Sequence, residues 1–169
     1  MPEDFKEALR QAAKDFKLPK YNEIPNVGLY LEQTAKYISE IGHTGDGFIT
    51  GSMISNYVKK GIISNPVKKQ YSRDQIAYLI FITMAKTVLS MDDIKLLIEI
   101  QQKTYEPEVA YNYLAEEFEN VVGYVFGLKA EMETIGRNNH DAKVMLRNLI
   151  ITVAHKAYLD KCFSYYREK

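Results

Sequence analysis

The chain has 169 residues, 46% hydrophobic and 26% charged, which fits a single globular unit with a sizeable core and excludes a disordered chain. Lys plus Arg and Asp plus Glu both total 22, so net charge points to no polyanionic partner, yet residues 49–87 hold 6 basic and 1 acidic side chains between mildly acidic flanks. One cysteine, Cys162, excludes an internal disulfide and a paired-cysteine zinc site and suits a reducing compartment.

Helical periodicity dominates the chain. Pro2 to Phe16 places Phe5, Leu9, Ala12, Ala13 and Phe16 on one face, and Leu18–Pro19 ends that helix. The segment carries no apolar leader-like run, and no apolar run in the chain is long enough to span a bilayer, which predicts a soluble, cytoplasmic protein. After the connector KYNEIP, Asn26 is expected to cap a second helix through Ile41, with Leu29 or Tyr30, Gln33, Tyr37 and Ile41 along its stripe and Gly42 as its stop. The glycine-rich GHTGDG, residues 42–47, reads as a loop and lacks the Gly-Lys-Ser/Thr ending of a phosphate-binding P-loop.

A short helix follows, capped by Thr50 or Ser52 and stopped by Gly61, with Met53, Ile54, Tyr57 and Val58 as its buried stripe. Its polar face carries Ser52, Ser55, Asn56, Lys59 and Lys60. Residues 62–71 alternate apolar side chains with Asn65, Pro66, Lys68 and Lys69, which predicts a hairpin or loop, a basic wing. A longer helix is expected from Ser72 to Thr87, burying Ile76, Leu79, Ile80, Thr83 and Met84, and Ser90 with Asp93 opens another over Ile94, Leu97, Ile98 and Gln101.

Beyond Pro107 the pattern predicts two long helices, 108–135 and 140–167, folded into an antiparallel hairpin by the turn GRNN. The expected organisation is a helical unit over residues 1–105 and a hairpin over 106–169. The hairpin holds more aromatic rings than two helices bury between them, which predicts packing on the first unit or a homodimer. Glu116, Glu117 and Glu119 read as solvent-facing, and no specific residue marks a small-molecule pocket.

Short capped helix, basic wing and two further helices make the order of a winged helix-turn-helix, whose second helix enters the major groove while the wing holds phosphates. Ser52, Ser55 and Asn56 are the candidate base-edge or phosphate hydrogen bonders, with Asn56 suited to adenine. Lys59, Lys60, Lys68, Lys69 and Arg73 are the candidate phosphate clamps. No nucleophile stands in a recognisable elbow, and His43, His140 and His155 match no zinc spacing, so the expectation is a DNA-binding protein without catalysis, metal or cofactor.

The run NYVKKGIISNPVKKQYSRDQIAYLIFI, continued by VLSMDDIKLLI, resembles the DNA-binding domain of MerR-type regulators over about fifty residues. Tyr57, Gly61, Pro66, Tyr71, Ser72 and Ser90 to Ile94 carry the likeness, whereas Ser55, Asn56 and Val58 stand where those regulators usually have Arg, Tyr and an acidic residue. With NEIPNVGLYLEQTAKYI before it, the pattern is also similar to a small bacterial family catalogued as domain of unknown function 1836. These resemblances imply an all-α fold, a MerR-like winged helix-turn-helix domain followed by the helical hairpin. They also imply a transcriptional regulator acting on double-stranded DNA as a homodimer; the alternative is a MerR-like fold serving as a protein-interaction module.

Overall fold

The run IAYLIFITMA offers no polar stripe, and in the computed structural model, which describes residues 3–41, 48–137 and 139–168, it lies in a helix with ten of 13 residues buried. Around that helix the described residues form α1 (Glu3–Asp15), a 3-10 turn (Tyr21–Glu23), β1 (Leu29–Tyr30), α2 (Leu31–Glu40), α3 (Gly51–Lys59) and β2 (Gln70–Tyr71). The buried helix is α4 (Arg73–Ala85), followed by α5 (Met91–Gln102), α6 (Pro107–Val125) and α7 (Asp141–Arg167). The protein is all-α apart from the one two-stranded ribbon. None of the described helices is long and apolar enough to cross a membrane.

Local chemistry sets most helix starts. Ser72 accepts from the backbone of Gln75 while the Gln75 amide oxygen accepts from Ser72 N at 2.9 Å, a complete capping box on α4. Ser90 accepts from Asp93 N at 3.1 Å, and Ile94, Leu97, Ile98 and Gln101 of α5 are buried at the helical spacing the sequence predicts. The α4 expectation needs widening, because its single stripe is in fact a nearly complete surround.

Three expectations are corrected. The second helix begins at Leu31, because Leu29 and Tyr30 pair antiparallel with Tyr71 and Gln70. Its buried residues are therefore Thr34, Ala35 and Ile38, not the stripe through Gln33, Tyr37 and Ile41. The predicted helix 108–135 stops at Val125 in a Schellman motif. Gly127 adopts φ 77°, its N–H reaches Tyr124 O at 3.1 Å, and Leu128 N reaches Gly123 O at 2.8 Å.

The third correction concerns direction. Tyr113 lies against Lys143, Glu117 against Arg147 and Phe126 against Tyr158, so α6 and α7 advance together along a shared axis. They run parallel, not as the antiparallel hairpin expected from a short turn. Residues 126–140 return along α6, and the Asn120 amide clasps that return strand at Glu133, donating to its carbonyl at 2.8 Å and accepting from its N–H at 3.1 Å.

One apolar cluster runs from Phe5 through α4 and α5 to Cys162, so the two sequence units share a core. Much of the aromatic surplus is buried by α1: Phe5 meets Tyr165 at 4.2 Å between centroids, and Phe16 meets Phe126 edge-on at 5.4 Å. Glycine-rich residues 42–47, with His43 and the expected stop at Gly42, and Asn138 of GRNN lie outside the described residues.

Candidate nucleic-acid interface

Helix α3 starts where Thr50 Oγ1 accepts from Met53 N at 3.2 Å, which selects Thr50 over Ser52 as the cap. Gly51, Ile54 and Tyr57 are buried and Met53 and Val58 half-buried, and the helix ends at Gly61 with φ 68°. Ser52, Ser55, Asn56 and Lys59 fall within about 100° of arc on the opposite side, and all four are exposed, as is Lys60. Helix α2 packs against α3 from inside.

The wing is a hairpin. Val67 and Gln70 form an antiparallel bridge closed by Gln70 N to Val67 O at 2.9 Å, and the two residues between them are Lys68 and Lys69. Both have positive φ, 50° and 63°, the signature of a tight type I′ connection that ordinarily calls for Asn and Gly. Each lysine in that region costs about 1–2 kcal/mol relative to ordinary backbone. Both side chains are exposed.

Two anchors hold this tip in place. The buried amide of Gln75 donates to Ser64 O at 2.9 Å and to Ser64 Oγ at 3.1 Å, fixing the near strand to the start of α4. The far strand, β2, is bound by β1. The hairpin therefore projects two cations from a rigid base.

Arg73 is placed differently from the other candidates. Its Nε donates to Ile24 O at 2.9 Å, it reaches Asn22 O at 3.5 Å, and its guanidinium lies 5.4 Å from the Tyr21 ring centre. Tyr21 in turn donates to Asp74, and burial together with that bond pushes its phenol up to about 12. Arg73 thus fastens the 3-10 turn to α4, and the clamp role assigned to it from sequence gives way to this structural one. Lys86, also counted in the basic segment, donates to Phe48 O just ahead of α3, and burial lowers its ammonium pKa.

The remaining candidates group into two clusters: Ser52, Ser55, Asn56, Lys59 and Lys60 on and just after α3, and Lys68 and Lys69 on the tip. Lys95 of α5 joins the first, its ammonium 3.5 Å from Lys60 O at the C-terminal end of α3, where a cation suits the helix dipole. Sequence reading missed it because the neighbourhood forms only when α5 packs. An open groove of about 770 Å³ lies between Val58, Val67, Tyr78 and Pro107, and it is lined by Asp74 and Glu106 but by none of the lysines. That side is chemically unsuited to a polyanion, which leaves the outer face of α3 and the hairpin tip.

Among the described residues there is no cluster of three or more His, Cys, Asp or Glu side chains able to hold a metal ion. A family model described as a domain of unknown function, DUF1836, matches residues 19–114, more than half of the chain. The chain belongs to the DUF1836 family. No curated protein and no solved structure gives a significant match. The DUF1836 region runs from just before the 3-10 turn into α6, so α3, the hairpin and both of its anchors lie within the family unit, while α1 and α7 lie outside it.

Proposed function

We propose that this DUF1836 protein is a DNA-binding transcriptional regulator of MerR-like, winged helix-turn-helix type, with α3 in the major groove and the hairpin tip on the phosphate backbone. The observation that carries the reading is the Lys68–Lys69 pair held at positive φ on an anchored tip. Lysine there is conformationally unfavourable, and side chains kept at such a cost favour a role for their charge. The polar arc of α3 supports the same reading, with Asn56 offering the bidentate geometry that pairs with adenine and Ser52 and Ser55 offering hydroxyls to bases or phosphates.

The proposed working unit is a homodimer reading two half-sites in the cytoplasm. Leu159, Phe163 and Tyr166 of α7 follow one another by four and three residues and are 48%, 54% and 60% exposed, a seam suited to a second copy of the same helix. No catalytic step belongs to this proposal.

The experiment is equilibrium binding to duplex DNA by the full chain and by a variant with Lys59, Lys60, Lys68 and Lys69 changed to Glu. Binding that disappears in a folded variant supports the reading. Absence of binding by the unmodified protein to genomic fragments overturns it, and the apolar seam then favours the protein-interaction module instead.

A further inference from the structure

Two cavities sit back to back where α4 and α5 meet α6 and α7. The inner one, about 40 Å³, is walled by Phe81, Ile98, Leu114 and Leu146. The outer one, about 120 Å³, is lined by Tyr105, Tyr113, Arg137 and Lys143. They share Gln101 and Ala110 as a common wall, and Gln101 is fixed there because its amide nitrogen donates to Ala142 O. An apolar chamber thus backs onto a polar mouth.

The charge of the mouth is unbalanced. Lys143 is only 9% exposed and lies over the Tyr113 ring at 5.3 Å, and Arg137 adds a second cation. No carboxylate is among the described lining residues. The neighbouring Glu117, 0% exposed, is already matched by Arg147 at 3.1 Å. A buried ammonium is costly unless an anion compensates it.

A second observation points the same way. The Tyr113 hydroxyl is buried and has no hydrogen-bond partner. Such a donor is expensive to bury unmatched and is worth most when it meets a charged acceptor. The inner chamber has room for about three methyl or methylene groups, at roughly 10–15 Å³ of centre space for each water-sized body.

We infer that this junction binds a short aliphatic monocarboxylate, its carboxylate held by Lys143, Tyr113 and Arg137 and its tail in the chamber beyond Ala110. The site lies between the helices that carry the hairpin and the helices that carry the exposed α7 seam, which makes it an effector site. Binding is measured on the protein alone, so it stands or falls separately from the DNA reading.

The test is calorimetric titration of the full chain with isovalerate, acetate and the neutral isostere 3-methylbutan-1-ol. Isovalerate is expected to bind, acetate more weakly, and the alcohol at least about tenfold more weakly than isovalerate. Lys143→Met should abolish isovalerate binding with helicity retained. Tyr113→Phe should weaken it by about ten- to a hundredfold without lowering thermal stability, since a hydrogen bond to a charged group is worth that much and the variant removes an unmatched donor. Ala110→Leu, which fills the shared wall, should exclude isovalerate and spare acetate. No binding of either carboxylate up to tens of millimolar, equal binding of the alcohol, or unchanged affinity in both Lys143→Met and Tyr113→Phe would overturn the proposal.

Discussion

Gly28 approaches Gln70 so closely that a Cβ added to the glycine would stand 2.7 Å from Gln70 Cβ. That contact sits one residue before β1, where the N-terminal connector takes hold of the hairpin's far strand. The placement of the basic tip thus depends on a residue remote from it in sequence. Gly28→Ala is expected to cost about 1–3 kcal/mol through overpacking, read by urea denaturation. Amide exchange at Gln70 and Tyr71 should accelerate more than in α5.

The tip itself offers a trade between stability and charge. Replacing Lys68 with Asn and Lys69 with Gly supplies the residues that a connection with two positive φ values favours. The double variant is expected to gain about 1–2 kcal/mol, measured as a higher denaturation midpoint, while losing affinity for duplex DNA. A loss of stability would show that the lysines are not held at a conformational cost.

Along α7, charge placed on the seam should break the proposed dimer. Leu159→Glu with Phe163→Glu changes two side chains that are already about half exposed, so the fold should survive. Sedimentation is expected to show a dimer for the unmodified chain and a monomer for the variant.

Glu117 provides a prediction in pH. It was expected in solvent, yet it is fully buried, and desolvation raises its carboxyl above the usual 4.5 despite the opposing effects of Arg147, Asn120 and Lys143. An acid whose folded pKa is raised binds its proton more tightly in the native state. Its contribution to stability is fully present below about 4.5, the unfolded value, and is lost as pH rises through the folded value. Glu117→Gln removes that titration. The stability of the unmodified protein relative to the variant is therefore expected to fall as pH rises from about 4.5, measured by denaturation across a pH series.

Elements governed by neighbours in the chain were legible in the sequence. The caps at Thr50, Ser72 and Ser90 and the stripes of α3 and α5 depend on residues three or four apart, and they stand as read. Non-local partners caused the errors. Leu29 and Tyr30 look helical until Tyr71 and Gln70 claim them as a ribbon. The segment LKAEMETI, residues 128–135, is rich in good helix formers, and Gly127 alone marks the stop before it. The parallel course of α6 and α7 follows from that early stop, because only a long return segment allows it.

The candidate site divides along the same line. Exposure of Ser52, Ser55, Asn56, Lys59 and Lys60 follows from the helical period, and the exposed Lys68–Lys69 tip from the turn pattern. Arg73 and Lys86 were misplaced because their acceptors, Ile24 O and Phe48 O, come from distant segments. The cationic mouth at Lys143 was invisible because Tyr113, Arg137 and Lys143 converge only through the return strand.

The most direct test of the central claim is the salt dependence of duplex DNA binding. Four lysines, Lys59, Lys60, Lys68 and Lys69, each neutralising one phosphate, predict that log K falls with log salt at a slope of roughly −3 to −4 per protomer, doubled for a dimer. Changing any one of them to Ala should reduce the slope by about 1 per protomer, and changing all four to Glu should abolish binding in a protein that stays folded. A flat salt dependence, or affinity unchanged in the four-Glu variant, would contradict the account.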